Sequence, residues 1–230
     1  MSGISTNRSE VASRLAQGSR DDQLDALDAG EKRWVVADGT GAGGHAASAA
    51  LTAFLESDLD GEPVTALEAA MARAQRAVEA LGGGQALSST LTAAWLLDDR
   101  LAVAHIGDSR AWLLRDGELS RLTTDHTEVQ SLIDDGSLTE DEACSDPRRN
   151  LLNRALAEGA PGEADVFVVP VRDHDRIVLT TDGVHAVLTP DRLHTLLADG
   201  TPQESVDAVA AAVEEAGAPD NYAVVVADLT

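Results

Sequence analysis

The apolar residues of this chain fall into short runs whose period changes along it. Trp34 to Asp38 is apolar up to the pair Asp38-Gly39, which predicts a buried strand feeding a turn. His45 to Glu56 is alanine-rich and predicts a helix, with Ala49, Thr52, Ala53 and Leu55 available for its buried face. Pro63 to Leu81 predicts a second helix. Pro63 suits a first turn, Leu67, Ala70, Met71, Ala74 and Val78 keep a helical period, and Gly82-Gly83-Gly84 stops it. The pattern then turns to strands at Ser89 to Leu97, Leu101 to Ile106, Arg110 to Arg115 and Glu118 to Leu122, with Asp98-Asp99 and Asp116-Gly117 as tight-turn signals. Thr127 to Leu156 is polar and reads as helical or irregular. Strands resume at Ala164 to Val171 and Arg176 to Thr181, helices follow at Pro190 to Leu197 and Gln203 to Ala216, and Tyr222 to Asp228 is a last strand. Strands and helices thus come in blocks, which predicts an α+β fold with antiparallel sheets and helices layered on them. Val224-Val225-Val226 has no polar alternation, as expected of a strand buried on both faces of a central sandwich.

Charge narrows the function. The 230 residues carry 17 basic and 40 acidic side chains, a net charge of −23, and Lys32 is the sole lysine. Such a surface repels phosphate backbones and anionic lipid, so neither nucleic acid nor a membrane is an expected partner. A hydrophobic fraction of 43% supports a real core, while 3% aromatics make that core aliphatic. A GC-rich genome accounts for the bias to arginine over lysine, adaptation to high salt or binding of divalent cations for the acids, and composition does not choose among these readings. Cys144 is the single cysteine, which rules out an intramolecular disulfide. Met1 to Gly18 lacks a signal-peptide core and no apolar run reaches 18 residues, so the cytoplasm is the expected location.

Five aspartates stand at strand boundaries. Asp38 and Asp182 each follow an apolar strand and precede glycine. Asp108 follows Leu101 to Ile106, Asp220 precedes Asn221 and the last strand, and Asp25 lies in an acidic segment before the first apolar strand. Taken singly, each is an ordinary turn or cap residue. Converging, they form an anionic cluster that calls for cations, and Mg²⁺ or Mn²⁺ prefers such oxygen ligands.

In order, these residues lie within Arg20 to Asp25, Val36-Ala37-Asp38-Gly39-Thr40-Gly41, Gly107-Asp108-Ser109-Arg110-Ala111-Trp112, Leu122-Thr123-Thr124-Asp125-His126-Thr127, Leu179-Thr180-Thr181-Asp182-Gly183-Val184 and Pro219-Asp220-Asn221. The series resembles the metal-dependent protein phosphatases of the protein phosphatase 2C family in their compact bacterial form, over about Gly18 to Asp228. The resemblance implies a four-layer α-β-β-α sandwich with two central antiparallel sheets, a single catalytic domain over residues 1–230 and a flap at about 128–147. It implies two Mg²⁺ or Mn²⁺ ions per site, with a third in many bacterial members. Asp38 would bridge both ions, the Gly39 carbonyl and Asp25 would serve the second, Asp182 and Asp220 would complete the first, and Asp108 with Asp182 would hold the third. Arg20 would grip the substrate phosphate. The implied reaction is hydrolysis of phosphoserine and phosphothreonine by direct attack of a metal-bridging hydroxide. Phosphorylated proteins and Ser/Thr kinases are the implied partners, and a monomer is expected.

Two departures mark the chain. Gln23-Leu24 stands where the family has Asn-Glu or Asn-Gln, so Asp25 is the remaining motif acid at the second ion. The turn Thr40-Gly41-Ala42-Gly43-Gly44-His45 is about two residues longer than usual, and Thr40 occupies the place of a histidine that serves some members as general acid. The rival reading is the same fold used as a binding module. His45 and His126 are expected to be structural, as is Arg110, and Cys144 is read as incidental.

Overall fold

The computed structural model describes residues 9–41, 45–82, 87–143, 146–160 and 162–230. Cys144, Gly83-Gly84 and the loop residues Ala42-Gly43-Gly44 lie outside these. The chain begins with β1 (Ser9–Ala16), β2 (Ala26–Ala29), β3 (Arg33–Ala37) and the short β4 (Gly39–Thr40). Helices α1 (Ala46–Leu55) and α2 (Pro63–Leu81) follow. Next come β5 (Ser88–Ser89), β6 (Leu91–Leu97), β7 (Arg100–Ile106), β8 (Arg110–Arg115) and β9 (Glu118–Arg121). Two short helices, α3 (Glu128–Asp134) and α4 (Glu140–Ala143), lie in the polar segment. They precede β10 (Leu156–Ala157), β11 (Asp165–Pro170) and β12 (Arg176–Thr180). The chain finishes with α5 (Asp182–His185), α6 (Pro190–Leu197), α7 (Pro202–Glu215) and β13 (Tyr222–Leu229).

Among the described residues the strands form two five-stranded antiparallel sheets, ordered β1-β13-β12-β8-β9 and β11-β7-β6-β3-β2, and a small sheet β10-β5-β4. Side-chain alternation along each strand feeds two cores at once. Trp34 and Val36 point between the sheets with Leu96, Leu101, Ile177, Leu179 and Val225. Val35 points the other way, to Phe54, Leu67 and Met71 of α1 and α2. Val224 and Val226 meet Leu193, Val206, Val209 and Val213 of α6 and α7. The expected four layers are therefore present, each sheet is covered on both faces, and every fully buried Val or Leu contributes about 1.5–3 kcal/mol of burial free energy.

The local signals act as expected. Asp116 and Gly117 both take positive φ, 52° and 78°, as a two-residue hairpin turn between β8 and β9 requires. Glu62 caps α2 by accepting from the Thr65 N–H, with Pro63 in the first turn. The buried face of α1 differs from expectation: Ala46, Ala47, Ala50, Leu51 and Phe54 join Ala53 inside, and Thr52 is exposed. Phe54 is the largest apolar group on the helix and sets which stripe turns inward.

One junction matters most for function. The four strands β6 to β9 do not run on as neighbours. At Gly107-Asp108-Ser109 the chain leaves one sheet and enters the other. Gly107 makes the corner with φ 102°, and a Cβ there would lie 2.5 Å from the Thr90 side chain. Asp108 is thereby held between the sheets.

Candidate metal centre

The registers Ala26↔Ala37, Leu91↔Ile106 and Thr180↔Val224 bring the two sheets' loops to one end of the sandwich. Asp25, Asp38, Asp108, Asp182 and Asp220 all stand there. A cavity of about 290 Å³ is lined by Asp38, Asp108, Asp182 and Asp220, with Arg20, Leu24, Gly39, Thr40, Asn150 and Leu152 around them. Asp25 is buried behind Asp38, whose carboxyl it meets.

Glycines permit this convergence. Gly183 passes so close to the next loop that a Cβ would lie 1.9 Å from the Asn221 carbonyl oxygen. Gly18, at φ 60°, would put a Cβ 2.2 Å from the Asp220 carbonyl oxygen, and Gly39 one at 2.8 Å from that of Leu24. The Asp-Gly pairs of the sequence are thus close backbone approaches as well as turns.

Buried hydroxyl groups fix the carboxylates' frame. The Asp38 N–H donates to Thr90 Oγ1 at 2.9 Å, and Thr90 Oγ1 lies 2.7 Å from Ser109 Oγ. Thr92 Oγ1 donates to the Ser109 carbonyl and contacts Nδ1 of His105. His126 is structural, as expected: its Nδ1 accepts from the Gly107 N–H and its Nε2 faces Asp165. Arg110 makes a fork to buried Asp125. His45 occupies the N-cap of α1 with no side-chain capping bond. Arg20 does not stand free but is ion-paired with Asp220 and donates from Nε to the Pro219 carbonyl.

The electrostatics expose the cluster's instability. Burial, then the charges of Asp182, Asp25 and Asp108, push Asp38 well above the usual carboxylate range. Burial and Asp182 raise Asp108 to about 7. Burial raises Asp25 to about 7, against a bond from Thr181. Burial and then Asp220 raise Asp182. Each carboxyl acts on several others: Asp38 feels Asp25, Asp108 and Asp182, and both Asp25 and Asp182 feel Asp220.

Divalent cations suit this donor set. It consists of oxygen alone, its carboxylates outnumber the Arg20 guanidinium that pairs with one of them, and buried Asp108 Oδ1 has no hydrogen-bond partner. Among the described residues no three side chains are closed into a finished ligand set. Hard cations that retain several waters do not require one.

A titration follows from these shifts. In chelator, lowering pH from 8.5 to about 6.5 should raise the melting temperature, because Asp25 and Asp108 take up protons near 7 when folded but only near 3.8 when unfolded. Below about 6.5 the gain should flatten. Buried His105, pushed down to about 3, His126 and His185 stay neutral in the fold while the unfolded chain protonates them. Scanning calorimetry in EDTA reads this directly, and a melting temperature that falls from pH 8.5 to 6.5 would contradict it.

Known proteins share the sequence pattern and the fold. The family model described as protein phosphatase 2C matches residues 12–220. The chain belongs to the protein phosphatase 2C family. It is 37% identical over 217 residues to the serine/threonine protein phosphatase PstP of Mycobacterium tuberculosis, covering 89% of this chain and 42% of that protein. It is 32% identical over 143 residues to a serine/threonine phosphatase, stp, of Listeria monocytogenes, covering 62% of this chain and 57% of the relative. The chain thus spans about half the length, or less, of these relatives. Among solved structures, M. tuberculosis PstP/Ppp superposes with a TM-score of 0.90 at 33% identity, covering 96% of this chain and 98% of that one. The PstP catalytic domain in complex with two manganese ions gives 0.88 at 32% identity, covering 98% and 100%.

Proposed function

We propose that this chain is an Mg²⁺- or Mn²⁺-dependent phosphatase that hydrolyses phosphoserine and phosphothreonine in proteins. The observation that carries this reading is the convergence of Asp38, Asp108, Asp182 and Asp220 on one cavity, with Asp25 buried against Asp38 and Arg20 at the rim. The names of the relatives and the two manganese ions of the PstP domain support it.

Asp38, the Gly39 carbonyl, Asp182 and Asp220 would hold two ions, with Asp25 serving the second, and Asp108 with Asp182 would hold a third. When bound, the ions supply an activated water at neutral pH and positive charge for the phosphoryl oxygens. Arg20 has a partner to exchange: its guanidinium fork moves from Asp220 to the phosphoryl oxygens. The described residues lining the cavity include no histidine, and in this reading a metal-bound water or solvent would protonate the departing seryl or threonyl oxygen. Thr40, where some members carry a histidine, instead shares a hydrogen bond of 2.6 Å with Ser88.

The same reading makes residues 1–230 one catalytic domain with a flap at about 128–147. It assigns a monomer acting on phosphoproteins in cytoplasmic signal transduction, with Ser/Thr kinases or their substrates as partners. Among the described residues no helix is long and apolar enough to cross a membrane.

The test is phosphate release from a phosphothreonine peptide with Mn²⁺ and with EDTA. Release that requires Mn²⁺ is expected. A protein that binds the peptide but releases no phosphate in saturating Mn²⁺ would be a binding module instead.

A further inference from the structure

We infer that Thr181 is a positioning residue for Asp25, and that Thr181 and Asn221 together form the fixed seat that lets Asp25 serve the second cation beside Leu24. This rests on the phosphatase reading and names a part of its site. Leu24 supplies no carboxylate, so the geometry of Asp25 bears directly on that ion.

Thr181 stands at the N-cap of α5, yet makes no capping bond. Thr127, Thr189 and Thr201 occupy the same position before α3, α6 and α7, and each caps with its side chain. The Thr181 hydroxyl is committed elsewhere: it donates to Asp25 Oδ2 at 2.7 Å and accepts from the Ala223 N–H at 2.8 Å. A hydroxyl has one proton. Because Ala223 N–H is a donor, that proton must point at Asp25. Oδ2 is thereby fixed, and with it the orientation of the carboxyl that meets Asp38. Thr181 is fully buried and does not line the cavity, so it acts through Asp25.

Asn221 fixes the backbone of the same pair. Its Oδ1 accepts from the Leu24 N–H at 2.7 Å, and its Nδ2 donates to the carbonyls of Gln17 and Asp22 at 2.7 and 2.9 Å. Thr181 directly precedes Asp182 and Asn221 directly follows Asp220. The neighbours of two carboxylates expected at the first ion therefore hold the carboxylate expected at the second.

The experiment is Mn²⁺ titration by calorimetry of the intact chain, with melting temperatures in EDTA as a fold control. Thr181→Val should weaken one Mn²⁺ step by about 10–100-fold, the usual effect of removing a group that orients a ligand. Thr181→Ser should bind as the parent does. Asp25→Ala should show the same loss, and adding Thr181→Val to it should change nothing further. Thr181→Val also leaves the Ala223 N–H unpaired. Should it not fold, Thr181→Ala replaces it, differing from the serine variant by one oxygen atom. A folded variant without the hydroxyl that keeps the parent isotherm overturns the inference, as does an undiminished effect in the Asp25→Ala background. A parent chain that binds no Mn²⁺ overturns the phosphatase reading itself.

Discussion

Asp38→Asn is expected to lower turnover of a phosphopeptide by about 10³-fold, the upper end of what removal of one transition-state stabilising group costs, and to raise the melting temperature of the ion-free protein. The two effects share a cause. The charges of Asp182, Asp25 and Asp108 all act on Asp38, so its carboxylate is costly to maintain without cations, and the proposed function has it hold two. Asparagine keeps the shape and removes the charge. Relief of that burial and repulsion should raise the melting temperature of the ion-free protein by a few degrees. Steady-state kinetics in saturating Mn²⁺ and thermal melts in EDTA are the paired measurements. A variant with near-normal turnover, or one less stable than the parent in EDTA, would show that Asp38 does not have this position.

Gly183→Ala should damage the fold and the site together. The added carbon would lie 1.9 Å from the Asn221 carbonyl oxygen and 2.9 Å from its carbonyl carbon, both backbone atoms that no rotamer change can move. The start of β13 must shift away from α5, separating Asp220 from Asp182. A destabilisation of about 3 kcal/mol or more is expected, at the severe end for overpacking, together with loss of activity. Urea unfolding of the variant reads the first effect. A ΔΔG below about 1 kcal/mol would mean that this close approach is not required.

Much of this was legible in the chain. α2, β8 and α6 lie where hydrophobic period, Pro-initiated turns and the Asp-Gly hairpin signal put them, because each is specified locally. β1 was not legible: only Ala12 of its eight residues is buried, and it is a strand because it pairs with β13 along its whole length. α5 is too short, at four residues, to show a period. The five aspartates could be selected by their strand boundaries and motif order. Their supports, Thr90, Ser109, Thr181 and Asn221, could not, because a hydroxyl or amide carries no mark of which distant group it will meet. Nor could the pairing of Arg20 with Asp220, which joins residues 200 positions apart.

The placement of β13 has a consequence for how the protein is made. This strand sits between β1 and β12, and the Asn221 amide ties down the segment from Gln17 to Leu24. During vectorial synthesis the catalytic end cannot assemble until residues 220–229 have left the ribosome. Until then β12 offers one bare edge. The topology has high contact order, so closure should be slow and late. A nascent chain interrupted before this point would present an unpaired apolar strand to its neighbours, which makes residues 220–229 a safeguard against aggregation as well as the carriers of Asp220.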